Sequence, residues 1–126
     1  MKPIIALFFL FTISYLPAQT LEQAANAFGK GEADKISTWM EADVEMALLN
    51  GADLYTRAEA TTRLKGFFAK FPPKGVSIMH QGTSKNSDSR FIIAQLNAGS
   101  ERFRLYLYGE QSGNGFKLAE IRIERE

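Results

Sequence analysis

Between Gly31 and Pro73 the apolar residues change their spacing twice, and few folds accommodate that order. A short helical pattern ends near Met40, and strict alternation of apolar and polar residues follows, which is typical of a strand with one buried face. Asn50-Gly51 then offers the positive φ angles that a type I′ hairpin turn requires. The stretch therefore predicts a helix, a strand and a hairpin, with a short return strand that contains Leu54 and Tyr55.

A second helix is predicted to follow the return strand. Thr56 and Glu59 have the spacing of a capping box, in which each side chain accepts a hydrogen bond from a backbone N–H group of the first turn. Pro72-Pro73 cannot continue the helix and mark its end. Gly66 in its middle costs about 1 kcal/mol relative to alanine, which suggests the close approach of another backbone. The helix is expected to bury an aromatic-rich face made of Ala60, Leu64, Phe67, Phe68 and Phe71.

The segment before Gly31 predicts another helix. Thr20 and Gln23 repeat the capping-box spacing, and Gly29 and Gly31 end the helical pattern. A short second helix over residues 33–40 completes a helical hairpin. The first helix has one apolar stripe, formed by Leu21, Ala24, Ala25 and Phe28.

The C-terminal half predicts four strands joined by turn-rich segments, over residues 76–81, 90–97, 102–108 and 116–123. Connections this short are typical of an antiparallel meander. In the last strand the apolar residues change phase, because Phe116 and Leu118 alternate in one register and Ile121 and Ile123 in the other. A β-bulge near Ala119 or Glu120 would restore a common buried face.

The composition limits the number of domains and the kinds of partner. The chain has 126 residues, of which 45% are hydrophobic, a formal net charge of +1 and no cysteine. This length supports one hydrophobic core, and the balanced charge gives no field that attracts nucleic acid or an anionic membrane. Without cysteine there are no disulfides, thiolate metal ligands or thiol nucleophiles. No zinc-ligand spacing or phosphate loop is present either, so no metal and no cofactor is predicted.

The N-terminus has the pattern of a secretory signal peptide. Lys2 is followed by an apolar run from Ile4 to Leu16, and Ala18 provides the small residue that precedes a cleavage site. The run is too short for a membrane-spanning helix, which needs about 20 residues. We therefore expect residues 1–18 to be cleaved, and residues 20–126 to form one exported domain, periplasmic or secreted, without a membrane anchor.

The order of these elements resembles the nuclear transport factor 2-like superfamily, a cone-shaped α+β fold in which N-terminal helices pack on a strongly curved antiparallel sheet. The segment GKGEADKISTWMEADVEM is similar to the turn between the two helices and the entry into the first strand. The segment YTRAEATTRLKGFFAKF is similar to the capped helix with its paired phenylalanines. Together with the signal peptide, the chain resembles small exported bacterial groups of this fold whose function is unassigned.

The resemblance implies a fold that hosts isomerases, dehydratases, cyclases, ligand-binding proteins and interaction modules, so the site must decide the function. Aligned with isomerase-like members, the tyrosine of the first helix falls at about Ala24 and the base carboxylate of the first strand at about Leu48. An aliphatic side chain cannot transfer a proton. Dehydratase-like members use more than one histidine, whereas His80 is the only histidine here. No catalytic residue is therefore predicted.

Three residues predict a ligand site inside the cone. His80 shares its phase with Val76 and Ile78, so we expect it to point to the interior near the cavity mouth. Trp39 and Tyr55 are the aromatic residues that would line the same cavity. Each has a structural alternative, as a hydrogen-bonded histidine or as core packing. The ligand implied is small and apolar or amphipathic, because such pockets are mainly apolar with a few placed polar groups.

The third C-terminal strand predicts a second candidate surface. Arginine and tyrosine are enriched at interface hot spots, whereas a solvated strand face more usually carries lysine, glutamate and threonine. Two interpretations stay open, namely a protein contact, most simply a homodimer through the sheets, and an ordinary amphipathic strand. The residues that share this face are Arg102, Arg104, Tyr106 and Tyr108.

The preferred function is a non-enzymatic exported domain that binds a small ligand in its cone or serves as a protein-interaction module. The alternative is a divergent enzyme of the same fold that uses His80 as a lone general acid or base. The two hypotheses differ in what they require of His80, because catalysis needs a water-accessible pocket around that side chain.

Overall fold

The computed structural model describes residues 21–83, 88–112 and 115–126 of the chain. The predicted signal peptide and Thr20 lie outside the described residues. The three helices and the first two strands lie in the first half, and four long strands make up the second. The elements in chain order are α1 (Leu21–Lys30), α2 (Ala33–Ser37), β1 (Met40–Leu48), β2 (Asp53–Thr56), α3 (Arg57–Lys70), β3 (Pro73–Thr83), β4 (Ser89–Ala98), β5 (Glu101–Ser112) and β6 (Gly115–Arg125).

The strands form one curved six-stranded sheet in the order β2-β1-β6-β5-β4-β3. The four C-terminal strands make the predicted antiparallel meander. The first strand, β1, lies beside β6 and runs parallel to it. The predicted α+β fold class, with helices packed on a curved sheet, is confirmed. The sheet was predicted to be antiparallel, and it is so except for the parallel pair of β1 and β6; β5 and β6 are its two central strands.

The apolar stripe of α1 and the aromatic face of α3 meet one face of the sheet. Gly31 ends α1 with a φ of 68°, and a Cβ at that position would lie 3.2 Å from the Pro73 ring. This contact ties the end of α1 to the start of β3. The largest fully buried side chains of the resulting core include Phe28, Ile36, Met40, Leu64, Phe103, Leu107 and Ile121. Among the described residues, no helix combines the length and apolar character that crossing a membrane requires.

The capping box and the proline stop of α3 are confirmed. The Thr56 side chain accepts a hydrogen bond from the Glu59 N–H group at 3.2 Å, and the Glu59 carboxylate accepts one from the Thr56 N–H group at 3.4 Å. The helix ends at Lys70, before Pro72. The expectation for Gly66 is wrong, because a Cβ there would meet no atom within 4 Å. No backbone approaches that exposed position.

The predicted bulge in β6 is confirmed at Ala119. Tyr108 on β5 pairs with Glu120, and the next residue, Gly109, pairs with Leu118, so Ala119 has no partner in this ladder. One extra residue moves all later side chains to the opposite face of a strand. Both apolar phases of β6 therefore reach the same core, and the buried residues are Phe116, Leu118, Ile121 and Ile123.

The predicted type I′ turn at Asn50-Gly51 is wrong. The connection between β1 and β2 runs over residues 49–52, and its positive φ angle belongs to Leu49, at 68°. The Leu49 N–H group donates a hydrogen bond to the Ile123 carbonyl at 2.9 Å, and its side chain packs against the core. With this strand end attached to β6, the reversal uses a four-residue loop that contains Asn50-Gly51, in place of a two-residue turn.

Candidate functional site

Of the three residues predicted for a ligand cavity, Trp39 and Tyr55 pack in or against the core, whereas His80 is exposed. The Trp39 side chain is only 3% exposed and belongs to the core. Tyr55 is half-buried on β2, and the Arg63 guanidinium lies 4.4 Å from the centre of its ring, within the range of a cation–π contact. Both positions fit the structural interpretation of a large aromatic residue. The ligand-binding role predicted for them stays a prediction.

His80 lies on the opposite side of the sheet from the core, so its predicted orientation is wrong. In the ladder between β3 and β4, Ile78 pairs with Ala94 but His80 pairs with Ile93, which leaves Met79 as an extra residue. Ala94 is buried in the core, whereas Ile93 is half-buried on the other face. This bulge reverses the phase of the strand. The hypothesis of a lone general acid or base inside the cone therefore loses the placement on which it depended.

A shallow pocket of about 250 Å³ lies where the start of α1 meets the end of β3 and the start of β4. Leu21 and Ile92 form its apolar part, and Glu22, Thr83 and Arg90 are among its polar residues. Trp39, Tyr55 and His80 are not among the residues that line it. Within the described part of the chain, no group of three or more His, Asp or Glu side chains is arranged to hold a metal ion.

The other candidate surface is the side of the sheet that the helices leave uncovered, which we call the outer face. On β5, Arg102 and Arg104 are exposed and Tyr106 and Tyr108 are half-buried, and they alternate with fully buried residues. The two neighbouring strands, β4 and β6, add side chains that are in register with these residues. Tyr106 lies between Ile93 and Arg122, Tyr108 between Phe91 and Glu120, and Arg104 between Gln95 and Glu124.

Charge on the outer face is partly paired within the chain. Arg122 forms ion pairs with Glu120 and with Glu45, the latter at 3.6 Å. The hydrogen bond to Glu120, assisted by the surrounding carboxylates, raises the pKa of Arg122 above its ordinary value. Arg104 and Glu124 sit opposite each other in the β5–β6 ladder, yet neither forms an ion pair with any residue that the structure describes. The outer face therefore presents Arg104 and Glu124 side by side, each without an ion-pair partner among the described residues.

A groove of about 360 Å³ crosses the outer face between these charges. Tyr106 lies in this groove, and its hydroxyl has no hydrogen-bond partner among the described residues, whereas the Tyr108 hydroxyl donates to the Ser89 hydroxyl at 2.9 Å. Burial raises the pKa of the Tyr106 phenol above 10.0, and Glu120 and Tyr108 add to the rise while Arg122 opposes it. The groove is lined by Ile93, Arg104, Tyr106, Glu120, Arg122 and Glu124.

Most of this groove was not identified from the sequence. The predicted surface contained Arg104 and Tyr106, but not Ile93 of β4 or the three charged residues of β6, Glu120, Arg122 and Glu124. The available signal in β6 was the alternation of the three charged residues with the buried Ile121 and Ile123, which places them on the opposite face. The neighbouring strand of the meander then brings them beside the β5 residues.

Two solved structures of Bacteroides proteins share the architecture of this chain. A DUF4783 family protein from Bacteroides ovatus ATCC 8483 is 23% identical, with a TM-score of 0.79 over 87% of this chain and 98% of that one. A second one, from Bacteroides fragilis YCH46, is 25% identical, with a TM-score of 0.73 over 79% and 92%. No curated protein matches the chain.

More distant structures share the fold alone. A Xanthomonas campestris protein, provisionally named a calcium/calmodulin-dependent protein kinase II association domain, is 11% identical, with a TM-score of 0.61 over 83% of this chain and 81% of that one. A nuclear transport factor 2-type protein, also 11% identical, has a TM-score of 0.60 over 80% and 90%. These likenesses agree with the predicted cone-shaped fold. The family model of a domain of unknown function, DUF4783, matches residues 21–124, and the chain therefore belongs to the DUF4783 family.

Proposed function

We propose that this chain is an exported, non-enzymatic interaction domain that associates with a second copy of itself through the outer face. One observation carries the proposal, namely that Arg104, Glu124 and the Tyr106 hydroxyl surround one groove and have no partner among the described residues. A partner surface would supply what these groups lack.

The residue types around the groove support a protein contact. Arginine and tyrosine both bury large areas and are enriched at interface hot spots, and tyrosine does so with few flexible bonds. Carboxylates and guanidinium groups are interspersed on the outer face, among them those of Glu45, Glu120 and Glu124 and those of Arg102, Arg104 and Arg122. Because the face carries both signs side by side, a second copy is a complementary partner.

The fold supports the same class of function. The Xanthomonas campestris structure bears the name of an association domain, which describes that protein as a domain for assembly. Core side chains pack between the helices and the sheet, so recognition of a partner would use the outer face and its groove. The N-terminal signal pattern of residues 1–18 supports a location outside the cytoplasm. Export would be tested by N-terminal sequencing of the protein recovered from a periplasmic extract.

Light scattering of the purified mature chain tests the contact. We expect twice the monomer mass for the wild type. Tyr106→Asp should shift the population to monomer, because it removes the phenol ring from the groove and adds a carboxylate beside Glu120 and Glu45, which already pair with Arg122. Asn26→Asp is the matched control, since it adds the same charge at an exposed position of α1, on the helical side of the sheet. A wild-type monomer at concentrations of about 1 mM would overturn the proposal, because that is the range of very weak association.

A small-ligand function is a second candidate, supported by the pocket at the start of α1. Its apolar residues, Leu21 and Ile92, and its rim residue Arg90 suit a small amphipathic molecule. Native mass spectrometry of the protein from a periplasmic extract should then show an added non-covalent mass that Arg90→Ala reduces. Protein that carries no added mass in such an extract would count against this function.

A further inference from the structure

The symmetry of a dimer through the outer face can be worked out from the strand register, and this step rests on the proposed function. Two copies that meet through the same face are related by a two-fold axis that lies in the plane of contact. A side chain on that axis faces its own copy, and side chains on either side of it exchange partners. Charged residues on the face therefore restrict where the axis can pass, because like charges brought into contact repel.

Three successive in-register pairs of the β5–β6 ladder, which we call levels, place oppositely charged or otherwise complementary side chains next to each other. Arg104 is paired in register with Glu124, Tyr106 with Arg122, and Tyr108 with Glu120. All six side chains belong to the outer face, and the first four line its groove together with Glu120. The central strands thus carry the pattern Arg, Tyr, Tyr on β5 against Glu, Arg, Glu on β6.

An axis along either strand brings like charges together. With the axis along β5, Arg104 would face Arg104 of the partner. With the axis along β6, Glu124 and Arg122 would each face their own copies. Neither Arg104 nor Glu124 has an internal partner in the described structure that would neutralise it there. Both arrangements therefore lose stability at the centre of the contact.

We infer that the two-fold axis of the dimer runs between β5 and β6, so that Arg104 of each copy pairs with Glu124 of the other. This axis lays β5 of one copy over β6 of its partner. Tyr106 then meets the Arg122 guanidinium of the partner, which is a cation–π arrangement. The Tyr108 level meets the Glu120 carboxylate, an acceptor for a phenol hydroxyl. Every charged group on the three levels faces a complementary group.

The position of this axis in the sheet agrees with the charge argument. The line between β5 and β6 divides the sheet into three strands on each side, namely β2, β1 and β6 against β5, β4 and β3. A central axis lets both halves of each sheet take part in the contact. The two edge strands, β2 and β3, then lie away from the charged residues of β5 and β6. Sheets that pack face to face in this way keep their strands roughly aligned.

Charge reversal tests the inference in a form that separates it from ordinary destabilisation. Arg104→Glu alone creates two Glu–Glu contacts across the axis, and Glu124→Arg alone creates two Arg–Arg contacts. We expect each single variant to raise the dimer dissociation constant at least about tenfold. An equimolar mixture of the two should form heterodimers as tight as the wild type, because both contacts become Glu–Arg pairs. The double variant should dimerise like the wild type for the same reason.

The outcomes separate this inference from the proposed function. If Arg104 and Glu124 interact only within one chain, the double variant recovers but the mixture stays monomeric in native mass spectrometry, and the inference is wrong while the dimer stands. Single variants that dimerise as tightly as the wild type also overturn it. A wild-type monomer overturns the proposed function first. Circular dichroism of each variant checks that the monomer is folded, since both positions are exposed.

Discussion

Two glycines illustrate how single positions differ in what they tolerate. Gly109 on β5 is buried beside the bulge, and a Cβ there would lie 2.2 Å from Cε2 of Phe116 and 2.9 Å from the Lys117 carbonyl oxygen. We expect Gly109→Ala to lower the free energy of unfolding by about 1–3 kcal/mol, because both a ring and a backbone must shift. Urea denaturation measures the change.

Gly66→Ala is the matched control for that substitution. It removes a glycine from an exposed position in α3 where a Cβ meets nothing within 4 Å. We expect a gain of about 0.5–1 kcal/mol in the free energy of unfolding, from helix propensity and the lower entropy of the unfolded chain. Equal effects of the two substitutions would contradict the packing described around Gly109.

The Tyr106 phenol makes stability depend on pH in the alkaline range. Its pKa in the folded chain lies above the ordinary 10.0, mainly through burial and then through Glu120 and Tyr108. The folded state therefore holds this proton more tightly than the unfolded state does. Its contribution is fully present below pH 10 and is lost as the pH rises from there through the folded pKa.

Tyr106→Phe should remove this part of the alkaline loss. We expect the urea midpoint of the wild type to fall further than that of the variant between about pH 9 and about pH 11. The phenolate absorbance titration of the wild type should contain a transition above pH 10 that the variant lacks. Identical alkaline losses in both proteins would rule out a raised pKa at this position.

At the scale of elements, the Thr56 capping box is the local signal that fixes the start of α3. Thr56→Ala removes a hydrogen bond to the Glu59 N–H group and should lower the free energy of unfolding by about 1 kcal/mol. Thr62→Ala is the control, because its hydroxyl only donates to the Ala58 carbonyl of the same exposed helix. We expect that change to stay within about 0.5 kcal/mol. A neutral Thr56→Ala measured by thermal unfolding would contradict the capping role.

Elements governed by neighbouring residues were predictable from the sequence. The capping box and proline stop of α3 lie within one helix, and the Ala119 bulge follows from apolar residues that must share one core. The turn at Asn50-Gly51 and the orientation of His80 were not predictable in this way. Leu49 is held by the distant Ile123 carbonyl, and the Met79 bulge lies in an edge strand whose apolar residues do not reveal it. Tertiary contacts decided both.

At the scale of the whole molecule, the sequence identified one strand of the candidate surface and not the other. Arg102, Arg104, Tyr106 and Tyr108 were identified from alternation within β5. The matching charges of β6 depend on which strand lies beside β5 and on the register of that pairing. Neither the pairing of Arg122 with Glu45 nor the isolation of Arg104 and Glu124 can be deduced from the sequence alone, because β1 reaches β6 only through the folded sheet.

The outer-face contact can be mapped by distance, because the chain has no cysteine and one introduced thiol carries one spin label. Ser77 lies on the outer face of β3, in register with Gln95, and Asn26 occupies an exposed position of α1. β3 is the third strand from the inferred axis between β5 and β6, which offsets the two copies of residue 77 sideways by about 24 Å, and face-to-face sheets sit about 10 Å apart. Together these offsets separate labels at Ser77→Cys by roughly 25 Å between copies. Labels at Asn26→Cys should be separated by about 40 Å or more, since a helix layer is added on each side.

Double electron–electron resonance on both labelled proteins is the most direct test of an outer-face dimer. We predict a clear dipolar signal at both positions, with the shorter distance at residue 77. A shorter distance at residue 26 would place the contact on the helical side, and the absence of any intermolecular signal in a folded protein would contradict self-association altogether.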